Sequence, residues 1–145
     1  MVVGLESWTL ARPELFLAAV TALLLIYGVV RGEASTAFVS VATPRTFPLV
    51  VFWYSAFLDY FVPSGGGKWA IEALYVIRAG NALGVPVTDV AMAYAYGDMA
   101  TNIIQPFWAI PLLSVARLDF RDILGYEILV FALYTAFMSV VLLVT

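Results

Sequence analysis

Ser64-Gly65-Gly66-Gly67-Lys68 interrupts a stretch that is otherwise apolar enough to lie in a membrane. A second polar island, running from Gly97-Asp98 through Thr101-Asn102 to Gln105-Pro106, breaks the next apolar stretch. Irregular backbone at membrane depth is tolerated only where protein or a water-filled cavity covers it. The two islands therefore restrict the chain to folds in which both turn away from lipid. Composition agrees: 63% of the 145 residues are hydrophobic and 12% charged, against about 45–50% and about 25% in soluble domains. In a bilayer this length allows about four or five spans of roughly 20 residues.

Several function classes drop out at once. Net charge is −3, with no basic tract or stripe, so nucleic acid has no electrostatic footprint to bind. Without Cys there is no disulfide, thiolate metal site or cysteine nucleophile. Without His the commonest general base and transition-metal ligand is missing. The carboxylates are scattered along several segments, so no acid–base pair or activated nucleophile can be named and an enzyme is not expected. The start resembles a signal peptide in having Arg12 before an apolar run, but Leu15 to Val30 is long for one, and Glu6 and Glu14 do not suit its flank.

Read along its length, the chain predicts an all-α integral membrane protein. An N-terminal segment, 1–34, holds a first transmembrane helix over 14–30, opened by Pro13 and closed by Arg31-Gly32-Glu33. Residues 35–145 form the remainder. Phe47 to Val62 and Trp69 to Leu83 are apolar arms joined by a few residues. The second arm carries Glu72, Arg78 and Asn81, which favours a re-entrant hairpin over 46–83, with its tip at 63–68, above two full spans. A broken helix follows over 89–113, since Pro106 cannot donate to the helical ladder. The last span covers 123–144.

The islands carry the chemistry. Three successive glycines let bare N–H groups approach a ligand. If the following arm is helical, its N-terminus aims donors and the positive dipole end into a cavity. A carboxylate is the natural guest there, with Lys68 adding a cation and Ser64 a hydroxyl. The competing reading is a tight turn with Lys68 snorkelling to an interface. A nucleotide P-loop is excluded, because Val62 and Trp69 occupy positions that need Gly and Ser/Thr. In the second island, Asp98 costs about 2.5–3.5 kcal/mol at depth and must face the interior or water. Asn102 and Gln105 share its face on a continuous helix, with Thr101 beside them. Asp98, with carbonyls freed by a break at Gly97 or Pro106, could coordinate Na⁺ or relay a proton. Interhelical packing is the alternative role for Asn102 and Gln105. Asp59 could pair with Lys68 or Arg78, or be a second ion site. Tyr94, Tyr96, Phe107 and Trp108 suit packing or an interface. Paired interruptions of apolar segments mark a midplane site in secondary transporters.

The stretches Thr46-Phe-Pro-Leu, Phe61-Val-Pro-Ser-Gly-Gly-Gly-Lys-Trp-Ala70 and Met92 to Pro111, with Arg121-Asp-Ile-Leu-Gly-Tyr126, resemble the short-chain fatty acid transporter family. The likeness covers Ser35 to the end. It implies a secondary carrier of acetoacetate, butyrate and related acids, coupled to Na⁺ or H⁺ and multi-pass in the cell membrane. The fold implied is one repeat of an inverted-repeat ion transporter. Ser64, Gly65, Gly66, Gly67 and Lys68 would form the hairpin tip, and Asp98 to Gln105 the unwound helix. The expected substrate-binding residues are these five with Thr101, Asn102 and Gln105; Asp98 and Gly97 are expected to couple the ion. No cofactor is expected beyond Na⁺ as that ion. Leu74 and Arg78 stand where members usually have proline, and an arginine there is unexpected in a hairpin arm. Members are longer than this chain, which implies a C-terminal part that needs a missing N-terminal half or a homo-oligomer. The alternative is a truncated, non-transporting fragment or an accessory subunit of a full-length carrier.

Overall fold

A computed structural model describes residue 39 and residues 42–145, and every element assigned among the latter is helical. The expected helix over 14–30 and the segment 1–34 lie outside the described residues. Helix α1 runs Phe47–Phe61, α2 Gly65–Leu83, α3 Val87–Asn102, α4 Pro106–Ala116 and α5 Phe120–Val144.

Local chemistry sets these limits. Pro48 occupies the first turn of α1, where its missing N–H costs nothing. Pro63 pushes Val62 out of the helical region (φ −126°, ψ 84°), and α1 stops there. Gly84 terminates α2 in the left-handed conformation (φ 74°). Pro106 opens α4 after Ile103–Gln105, and α3 and α4 meet at a 43° bend. A reciprocal capping box between Asp119 and Asp122 starts α5.

Two expectations change. The expected tip at 63–68 narrows to Val62–Ser64, because Gly65 to Lys68 already form the first turn of α2. Of the two places offered for the break, Gly97 and Pro106, it falls at Ile103–Gln105 just before Pro106, and the expected unwound stretch shortens, because Asp98, Thr101 and Asn102 are helical. Gly97 serves packing. A Cβ there would collide with the carbonyl of Phe52 and with Ser55.

That close approach organises the core. The buried positions of α3 are mostly small (Ala93, Gly97, Ala100 and Thr101, with Val90 and Tyr94), and α1 packs along them. Small residues let two backbones meet without the hydrophobic effect, which lipid does not supply. Phe47, Val51, Phe52, Ala56, Val76, Ala79 and Val90 fill the centre. Helix α5 adds one stripe, Thr135, Met138 and Leu142, and Tyr134 donates to the carbonyl of Tyr96 at 3.2 Å. Arg78 lies exposed on α2 and disturbs no packing.

Among the described residues α5 is long and apolar enough to cross a bilayer, and α3 with α4 qualifies as a bent pair. Helix α1, with 15 residues, is about 22 Å long at about 1.5 Å per residue, short of the roughly 30 Å hydrocarbon layer.

Gly97→Ala should destabilise the chain by about 1–3 kcal/mol through overpacking. Gly125→Ala, with nothing within 4 Å of the added methyl, should gain about 0.5–1 kcal/mol of helix stability. Melting temperatures in detergent should move in opposite directions.

Candidate functional site

Each of three helices carries polar side chains four residues apart on its inner face: Ser55 and Asp59 on α1, Lys68 and Glu72 on α2, Tyr94, Asp98 and Asn102 on α3. Four-residue spacing stacks such groups on one side of a helix. The fold brings the three sets together, and Lys68 stands at their centre. Its side chain is 2% exposed, and its Nζ lies 2.9 Å from Asp98 Oδ1 and 3.3 Å from Asp59 Oδ1. It also donates to the Ser55 carbonyl at 3.0 Å and to Ser55 Oγ at 3.4 Å. The Tyr94 ring lies 5.2 Å from the ammonium.

The carboxylates are held in turn. Thr101 donates to Asp59 Oδ2 at 3.0 Å, and Gln105 Nε2 donates to the backbone carbonyl of Asp59. Gln105 Oε1 is buried without a hydrogen-bond partner among the described residues. Asn102 donates to Asp98 Oδ2 at 3.3 Å and accepts from the Trp108 indole at 2.9 Å. Tyr94 O–H donates to Glu72 Oε2 at 2.6 Å.

Beside this cluster a cleft of about 380 Å³ opens between α2 and α3, lined by Gly65, Gly66, Trp69, Ala91, Tyr94, Ala95 and Asp98. Gly65 leaves room for the Asp98 carboxylate: a Cβ would come within 2.6 Å of Asp98 Oδ2, and the carboxylate would have to move. The first intrahelical bond of α2 runs from Lys68 N to the Ser64 carbonyl. The N–H groups of Gly65, Gly66 and Gly67 therefore belong to the unbonded first turn.

The expected site residues divide accordingly. Gly65, Gly66 and Asp98 line the cleft. Ser64 and Gly67 are exposed and outside its lining, and Ser64 makes no side-chain cap. Lys68 is committed to the two aspartates and does not line the cleft. Thr101, Asn102 and Gln105 support Asp59 and Asp98 from behind. Gly97 lies in the α1–α3 contact. Asp59 pairs with Lys68 and not with the exposed Arg78. Ser55 and the Glu72–Tyr94 pair were missed as site residues, and so was Trp69, whose ring stands 4.9 Å from that of Tyr94. The four-residue spacing of Ser55, Glu72 and Tyr94 to Asp59, Lys68 and Asp98 is the signal that would have found those three; Trp69 carries no such signal.

The described residues are all-helical, with one span and one bent helix pair apolar enough to cross a membrane and a charge cluster buried among the helices. The chain belongs to the short-chain fatty acid transporter family, whose model, described as "Short chain fatty acid transporter", matches residues 16–145. Over 95 residues it is 46% identical to a protein of Escherichia coli (strain K12) and to one of Haemophilus influenzae, both named for short-chain fatty acid transport. The alignments cover 66% of this chain but 22% and 21% of those relatives. The chain thus spans about a fifth of the length of the curated relatives it matches. No solved structure matches it.

Lys68→Met should cost about 3–5 kcal/mol, because two buried carboxylates then face each other without their shared cation. Asp98→Asn should cost less, since Lys68 keeps Asp59. Thermal melting of both variants in detergent tests the order.

Proposed function

We propose that this chain forms part of a multi-pass carrier of the cell membrane that moves short-chain carboxylates such as acetoacetate and butyrate together with Na⁺ or H⁺. The observation that carries this reading is the cleft at the first turn of α2. Gly65 and Gly66 line it, their N–H groups precede the first intrahelical bond of α2, and a helix N-terminus favours an anion. Trp69, Tyr94, Ala91 and Ala95 offer apolar wall to a short alkyl chain. The volume lies at the small end of the roughly 300–1,000 Å³ usual for ligand pockets. Asp98 also stands in the wall, so a carboxylate is accepted only with a positive charge beside it, the physical basis of coupling.

In this reading α1 and α2 form a re-entrant hairpin, α3 and α4 a broken helix, and the set corresponds to one repeat of an inverted-repeat carrier. The short length of α1 supports re-entry. The protein is a carrier and not an enzyme. A second reading, a membrane piece that transports nothing alone and needs further chain or a second copy, is favoured by the outer face of α4. There Phe107, Trp108, Leu112 and Val115 are 64–83% exposed. Co-purification with a larger membrane protein would support that reading.

The direct test is uptake of labelled butyrate by liposomes containing the purified chain, under imposed Na⁺ and pH gradients. Gradient-driven uptake is expected. Gly66→Leu should abolish it while leaving membrane insertion intact, since a side chain at this open position (nothing within 4 Å) fills the cleft. Uptake that survives the change would reduce the glycine run to a connector.

A further inference from the structure

Four oxygens from two helices surround one point: the Ser55 carbonyl, Ser55 Oγ and Asp59 Oδ1 from α1, and Asp98 Oδ1 from α3. A carbonyl, a hydroxyl and two carboxylates are the donor set that hard cations take. The Lys68 ammonium already fills that point, at 2.9–3.4 Å from all four. A sodium ion does not fit beside it, because the second positive charge would share the same oxygens.

We propose that Lys68 is a tethered cation replacing the coupling sodium ion, and that the charge accompanying an incoming carboxylate is a proton accepted by Asp98. This rests on the carrier reading above and selects its coupling ion.

The choice of Asp98 follows from access and partners. Asp59 and Asp98 together outweigh Lys68 by one negative charge, and Glu72 faces the same cluster from α2. A substrate carboxylate in the cleft adds another, so a positive charge must enter. Asp59, from α1, is fully buried and held by Thr101. Glu72 is occupied by Tyr94, from α3, and lies outside the cleft lining. Tyr54 of α1 bears on Glu72 and Tyr94. Asp98 alone among these carboxylates lines the cleft, with a side chain 18% exposed. Its other supports, Asn102 and through it Trp108 of α4, are neutral. A proton from water on the loading side bonds to an Asp98 carboxylate oxygen. It returns to water when the carboxylate departs, and Lys68 stays charged and paired throughout.

The test starts with the intact chain in detergent, without carboxylate. Thermal unfolding in sodium chloride and in choline chloride, at equal ionic strength, should coincide for the wild type. Lys68→Ala, with its cradle open, should gain a rise in melting temperature specific to sodium. Saturable stabilisation of the wild type by sodium overturns the proposal, whether or not Lys68→Ala folds. The second arm measures butyrate binding in weak buffer. One proton should be taken up per butyrate, with affinity rising about tenfold per pH unit on acidification, as linkage requires. Asp98→Asn should lose both effects, and proton uptake persisting in that variant overturns the role of Asp98. A wild type that binds no butyrate sinks the carrier reading, while the sodium arm still decides on Lys68.

Discussion

One ammonium between two carboxylates, each from a different helix, holds the described part of this protein together. Asp59, Lys68 and Asp98 come from α1, α2 and α3. Charges removed from water are costly unless paired and hydrogen-bonded. None of the three helices can shift far without leaving a charge unpaired inside the bundle. Non-polar packing closes the α1–α3 contact, but α2 packs less closely on both, and Lys68 is its main polar attachment to α1. The cluster thus fixes the first turn of α2, while Val76 and Ala79 seat the rest of the helix in the core.

The supports around the cluster form a chain from the core to the α3–α4 break. Gln105 reaches back from the break to the Asp59 backbone, and Trp108, in the first turn of α4, reaches Asn102. The bend is thereby tied to the charge cluster by two hydrogen bonds on opposite sides. A break at proline would be a loose joint in isolation; here it is latched to both aspartates' surroundings.

How much of this was legible varies with the range of the interaction that decides it. The apolar arms and the stop before Pro106 are local matters of hydropathy and a missing donor, and the sequence displays them openly. The glycine run misleads, because three glycines in succession read as a turn. A helix's first turn needs no intrahelical N–H bonds, and Gly65 has to lie against Asp98, so contact between helices overrides weak local propensity. The break at Gly97 fails for a related reason: the glycine is spent on the Phe52 carbonyl and not on unwinding. The pairing of Lys68 with both aspartates depends on how α2 docks, which no single segment encodes. What the sequence does carry is the four-residue spacing of Ser55 with Asp59, Lys68 with Glu72, and Tyr94 with Asp98. Polar pairs that regular inside apolar helices announce a shared interior face, although not the partners across it.

Helix α2 begins, and α3 ends within about one turn, at the same level, because Gly65 abuts Asp98. A helix start is a positive pole and a helix end a negative one. The positive pole of α2 thus stands at the Asp98 end of the cleft, about one turn from the negative pole of α3, and the potential falls between the two. Sliding α2 along α3 by a single turn would carry its pole away from Asp98 and erase that gradient. Axial register between these two helices is consequently an electrostatic quantity as much as a steric one.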